Sequence, residues 1–275
     1  MKAAGPKNAY RLLLEYDGGR YHGWQKQGER QSAQGIRTVT GALERVLQEA
    51  GFHVLTLAGA GRTDIGVHAA GQVAHLHLAG GKAPTAVELR RKLEEGLPAD
   101  IAVRSITTCS PAFHARHDAL ERSYLYQISL RRSAFAKPYL WWVKTHLDLA
   151  ALEAAWKHFE GSHDLAAFAD LEPGEESRCQ IRACEFAREG SLILLRITAR
   201  HFLRRQARRM VGAAVLCGLG REKLASLARD LLQPTPQATL HWAENAAPSS
   251  GLFLERVRYS GDLELPGPKA LIPVS

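Results

Sequence analysis

The sequence predicts an α+β protein: two split-βαβ halves with a joined antiparallel sheet, helices on one face and a basic cleft on the other. Three observations carry that expectation. Residues 9–110 read strand-helix-strand-strand-helix-strand, the order shared by ferredoxin-like and RRM-like units. Residues 111–262 repeat a similar grammar with longer insertions, and 263–275 read as a Pro-rich irregular tail. The 275-residue chain also carries 36 Lys and Arg against 28 Asp and Glu, a formal net charge of +8. Such an excess suits a polyanionic partner, nucleic acid first and an anionic membrane surface second. With 45% hydrophobic and 23% charged residues, the composition is that of a globular protein with a substantial core.

The elements follow in order. AYRLLLEYDGG (9–19) alternates as a strand and ends in a turn. Ser32 is a candidate N-cap for a helix carrying Ile36, Val39, Leu43, Val46 and Leu47, stopped by Gly51. HVLTLAGAG (53–61) and GQVAHLHLAG (71–80) are extended, the latter with Val73, His75 and His77 on one face. Thr85 opens a second helix that breaks near Pro98, and AVRSITTC (102–109) is the fourth strand. The helices are expected on one face of this sheet and the other face free. A boundary is expected near 110–121.

Beyond it, RSYLYQISL (122–130) and WWVK (141–144) read as strands, and DLAALEAAWKHFEG (148–161) as a helix. QIRACEFARE and SLILLRITAR form a hairpin around Gly190. HFLRRQARRMVGAAVLCGLG (201–220) and REKLASLARDLL (221–232) read as helices, and GLFLERVRY (251–259) as a closing strand. No repeat of fixed period is present.

Several function classes are disfavoured. The N-terminus lacks a continuous apolar run, and MVGAAVLCGLG (210–220) is too short to span a bilayer, so a cytoplasmic protein with no membrane partner is expected. Four cysteines without a C-x-x-C pair suit a reducing compartment. Cys179 with Cys184, His75 with His77, and His114 with His117 each lack the partners that complete a zinc site. No metal is expected.

The stretch GAGRTDIGVHAAGQVAHLH (59–77) resembles a nucleotide loop at first sight. Asp64 stands where a dinucleotide fingerprint needs its third glycine, and a strand follows where a helix should begin. A carboxylate there also repels phosphate. What remains is a turn presenting Arg62 and Asp64. Three other features favour RNA. Tyr124 and Tyr126 share a strand face with Arg122, and aromatic sheet faces stack unpaired bases. Arg204, Arg205, Arg208 and Arg209, read as one helix, form a dense phosphate-binding stripe, with Arg208 able to turn toward a carboxylate. His114, Arg116 and His117 add positive charge upstream.

Together GRTDIGVHAAGQV (61–73), YDGGRYHGWQKQ (16–27), FHARHDALERSYLY (113–126), FLRRQARRMVG (202–212) and GLFLERVRY resemble the tRNA pseudouridine synthases of the TruA type, in matching order over residues 10–260. The resemblance implies isomerisation of uridine to pseudouridine at positions 38, 39 and 40 of the tRNA anticodon stem-loop, in a basic catalytic cleft, by a homodimer without metal or organic cofactor. It makes Asp64 the catalytic aspartate, attacking either ribose C1′ or uracil C6. Tyr124 becomes the ring that packs on the target base, and Arg208 the partner that keeps Asp64 charged. Arg62 is a candidate for filling the space of the flipped base or gripping the backbone. Arg204, Arg205, Arg209 and Arg122 are candidate tRNA backbone contacts. The family's Met-Val-Arg run here reads Gln206-Ala207-Arg208. The alternative is a non-catalytic RNA-binding protein of paired RRM-like halves, although an RRM signature is absent.

Overall fold

In NAYRLLLEY every second side chain from Tyr10 to Tyr16 is apolar or aromatic and buried, and this alternation fixes the face of β1 (Asn8–Tyr16). The structure, a computed structural model, describes residues 8–26, 36–80 and 83–274. They fall into two units: the described part of residues 1–120 with 254–261, and residues 121–253 with the described part of 262–275.

In the first unit β1 is followed by α1 (Val39–Glu49), β2 (Val54–Gly59), β3 (His68–Leu78), α2 (Ala86–Gly96) and β4 (Ile101–Thr108). The strands run β4-β1-β3-β2, each pair antiparallel. This is the split-βαβ order that the sequence predicts. Leu43, Val46 and Leu47 of α1 and Leu89 and Leu93 of α2 are buried. The helices meet closely at Gly96, where a Cβ would lie 2.6 Å from Val46 Cγ1. Thr85 caps α2 in a reciprocal capping box with Glu88, and the chain leaves the helix before Pro98. The residue capping α1 is Thr38, whose hydroxyl accepts from Gly41 N; the proposed cap Ser32 lies outside the described residues. The expectation of a free second face needs correction. Residues 113–117 fold over it: Ala115 N donates to His75 Nδ1 at 3.1 Å, and the Arg11 guanidinium stacks over Tyr259, 4.3 Å from the ring centre.

The second unit contains β5 (Glu121–Ser129), β6 (Trp141–Trp142), α3 (Leu149–Lys157), β7 (Gly161–Asp164), β8 (Arg178–Glu189), β9 (Leu192–Ala199), α4 (Gln206–Gly218), α5 (Leu224–Leu232) and α6 (Pro236–Glu244). Its strands run β5-β9-β8-β7 antiparallel, with β6 parallel to β5. The β8–β9 hairpin turns at Gly190. β10 (Leu252–Arg258) closes the series. From Leu254 onward it groups with the first unit, not with the C-terminal half.

Residues 263–274 form no regular element, yet they are anchored. Leu271 N donates to Gln127 Oε1 at 2.7 Å, and Arg196 donates to the Pro266 carbonyl at 2.6 Å. Leu271 and Val274 pack against a cluster that includes Leu125 and Leu194.

The arginine stripe needs a second correction. α4 starts at Gln206 and not at His201, so Arg204 and Arg205 lie before the helix. Arg205 stands in the left-handed region at φ 62, the one non-glycine residue to do so among those described. Two backbone commitments explain the late start. Gln206 Oε1 accepts from Leu203 N at 2.8 Å, and Asp170 N donates to Arg204 O at 3.0 Å. The buried Gln206 is therefore a local cap that ends the preceding turn.

Candidate active site

Asp64 sits in the turn between β2 and β3, half-buried, with exposed Arg62 two residues earlier. The turn is fixed from beneath by uncharged groups. The buried Thr63 hydroxyl is 2.8 Å from the Tyr16 hydroxyl. Gln72 of β3, fully buried, donates to the Gly61 carbonyl at 2.8 Å. The loop after β1 grips the same turn, with Trp24 N donating to Thr63 O at 3.1 Å and Gly66 N to Tyr21 O at 3.3 Å. Two glycines make this possible. Gly66 has φ 74, and Gly23 has φ 91 with Thr63 O only 2.5 Å from where a Cβ would stand. Burial pushes the Tyr16 hydroxyl well above its ordinary range, so it remains a neutral partner for Thr63.

The backbone on either side of Asp64 is therefore committed to its neighbours, through Gly61 O, Thr63 O and Gly66 N, and Asp64 O itself accepts from Val67 N at 3.1 Å. A carboxylate positioned this way can serve as a nucleophile or base. Tyr16, Thr63 and Gln72 were missed by sequence reasoning. The signal overlooked is a lone Gln inside an apolar strand, because buried amides are hydrogen-bonded.

The other predicted residues lie in the second unit. Tyr124 on β5 is buried and meets the Phe202 ring edge-on at 4.8 Å. Tyr126 on the same strand is core: its hydroxyl donates to Pro248 O at 2.7 Å. Arg122 is buried too, and donates to the Arg200 carbonyl at 2.6 Å, so its placement on an open aromatic face is corrected. Arg208 is half-buried, and its Nε donates to Ala247 O at 2.7 Å. Arg209, only 2% exposed, turns inward to Ala169 O and to the Asp170 carboxylate. It belongs to the packing of this unit and not to an exposed phosphate stripe. Arg204 and Arg205 remain exposed.

Two of the alternative metal ligands, His75 and Cys179, are occupied otherwise. His75 Nδ1 accepts a backbone N–H, and Cys179 Sγ donates to His201 O at 3.2 Å. Burial pushes the Cys179 thiol up to about 11, which disfavours the thiolate that zinc requires. Among the described residues no cluster of three His, Cys, Asp or Glu is placed to hold a metal, and no helix is long and apolar enough to cross a membrane.

The α+β fold presents a carboxylate, Asp64, on a turn whose backbone is fixed by its neighbours, an arrangement suited to an enzyme. The sequence model of the tRNA pseudouridine synthase family matches residues 13–118 and 155–260, and the chain belongs to that family. It is similar to the tRNA pseudouridine synthase A of Methylobacterium nodulans, 38% identical over 94% of this chain and 99% of the relative. The Maricaulis maris enzyme of the same name is 36% identical over 92% and 98%, and that of Bacillus sp. KSM-64 is 32% identical over 92% and 100%. The matched segments include Asp64 and Arg208, whereas Tyr124 falls between them. The protein is thus an isomerase that forms pseudouridine in tRNA.

Proposed function

We propose that this enzyme isomerises uridines 38, 39 and 40 of the tRNA anticodon stem-loop, with Asp64 as its nucleophile. The observation that carries the reading is the turn itself: a half-buried carboxylate on a backbone fixed by Thr63, Tyr16, Gln72 and Gly23. Preorganisation of this kind suits a group that must meet one reacting atom.

The reaction balances without an external reagent. The N1–C1′ bond breaks, the uracil turns, and a C5–C1′ bond forms. N1 gains a proton and C5 loses one. Nothing is oxidised or reduced, so no cofactor is required. Asp64 in its ionised form attacks C1′ or C6 and is released when the new bond forms. Arg208 is the residue assigned to keep Asp64 ionised, because a cation brought beside a carboxylate lowers its pKa. Tyr124 packs on the uracil during its rotation, after the base has left its stack. Arg62 grips the backbone or fills the vacated space, and Arg204 and Arg205 bind backbone phosphate. The enzyme acts as a cytoplasmic homodimer.

Mapping pseudouridine in an unmodified tRNA transcript after incubation with the enzyme tests the substrate assignment. Modification confined to positions 38–40 is expected. Modification elsewhere in the tRNA refutes it, and binding without any modification favours the non-catalytic alternative.

A further inference from the structure

Asp170 gathers three arginines of the turn that starts α4. One carboxylate oxygen pairs with buried Arg209, whose Nε has no hydrogen-bond partner among the described residues. The other lies 3.3 Å from Arg205 Nη1 and 4.0 Å from Arg204 Nε. The Asp170 backbone also pairs with Arg204. Glu172 lies 3.8 Å from Arg204 Nη1. Arg204 and Arg205 nevertheless stay about half exposed, with side chains 57% and 47% accessible. A guanidinium carries five donors, so one carboxylate contact leaves most of them pointing to solvent.

An ordinary surface arginine wanders among rotamers and must be ordered when it binds. Here that ordering is already done. Arg205 is held at positive φ, an uphill conformation for a non-glycine residue, and such conformations persist only where surrounding contacts over-determine them. Asp170 supplies a side-chain contact to Arg205 and a backbone pair to its neighbour Arg204, while Arg205 O accepts from Arg209 N at 3.2 Å.

We infer that Asp170 is a positioning residue for RNA binding: it presents Arg204 and Arg205 as a preformed pair of cations for adjacent backbone phosphates. The inference rests on the reading of these arginines as tRNA contacts and is independent of the role of Asp64. It makes an unusual prediction. Removing a carboxylate raises the net charge by one, which alone tightens binding to a polyanion. A positioning role demands the opposite.

The test is a titration of an anticodon stem-loop RNA against the full chain. Asp170→Asn is expected to raise Kd about five- to tenfold, in line with the loss of ordered charge-assisted contacts. In a background carrying Arg204→Ala and Arg205→Gly, the same change is expected to leave Kd unaltered, because its effect passes through those two side chains. That background alone is expected to flatten the slope of log Kd against log salt by about 1.5 to 2. Should Asp170→Asn fail to fold by thermal melting, the pair Asp170→Asn with Arg209→Met removes the buried charge together with its partner and takes its place. An unchanged or lowered Kd overturns the inference. So does an equal rise in Kd with and without the two arginines. Since Kd is read without turnover, loss of the Asp64 assignment leaves this test standing.

Discussion

The carboxylate turn of the first unit and the arginine turn of the second are both held rigid, by different means. The Asp64 turn is fixed by neutral groups: the hydroxyls of Thr63 and Tyr16, the Gln72 amide and backbone at Gly23 and Gly66. The turn before α4 adds charge to its backbone and Gln206 hydrogen bonds, with Asp170 drawing in Arg204, Arg205 and Arg209. Neutral hydrogen bonds depend little on salt. Ion pairs are weakened by salt, and the guanidinium donors they do not use are left for phosphate. A scaffold for a reacting group and a scaffold for a polyanion call for different materials, and the two turns differ accordingly.

Among changes that leave Asp64 itself in place, the largest effect should come from breaking the neutral scaffold at its tightest point. Gly23→Ala places a Cβ 2.5 Å from Thr63 O at positive φ, so the backbone bearing Asp64 must shift. Turnover of a tRNA transcript should fall at least 100-fold, because misplacement of about 1 Å costs that much. RNA affinity should change far less. A parallel loss of both quantities in kinetic and binding assays would erase the division of labour between the two turns.

A smaller effect follows from acid. His75 is buried against His114 and His77, and burial, followed by His114, His77 and His117, lowers its pKa to about 4 against the opposing pull of Asp118; Arg11, on the paired strand, faces the same side. His77 and His114 are lowered as well, chiefly by burial. The folded state therefore binds fewer protons than the unfolded chain below pH 6.5. The stability present above pH 6.5 is lost as pH falls toward about 4, by roughly 2–3 kcal/mol for His75. Chemical denaturation at pH 7 and pH 4.5 measures it, and His75→Asn should flatten the difference.

The smallest effect is Tyr16→Phe. It leaves the Thr63 hydroxyl without its 2.8 Å partner in a buried site. A loss of about 1–2 kcal/mol is expected in thermal melting. kcat should drop severalfold with KM unchanged.

The first unit was largely legible in the sequence because local rules govern it. Alternation gave β1 to β4, and Thr85 with Glu88 marked the start of α2. The second unit was less so. β7 was too short to show a period, and α6 went unread although Thr235 before Pro236 is an N-cap signal. The arginine run misled for a physical reason. Spacing arguments assume a helix, and no glycine or proline marks the left-handed break at Arg205. What sets that break is Asp170, 35 residues upstream and invisible to local pattern. The same long-range pairing buries Arg209, which spacing placed in an exposed stripe. Asp64 was found through its motif, whereas its supports Tyr16 and Gln72 sit on strands distant in sequence.

The central claim is that Asp64 supplies the chemistry and little of the affinity. Single-turnover formation of pseudouridine by Asp64→Asn, measured beside the Kd of the same protein for the same anticodon stem-loop, tests it directly. Loss of product by at least about 1000-fold, the scale of removing a nucleophile, with Kd within about threefold of the parent enzyme, is the predicted result. Product formed at a rate near that of the parent contradicts it.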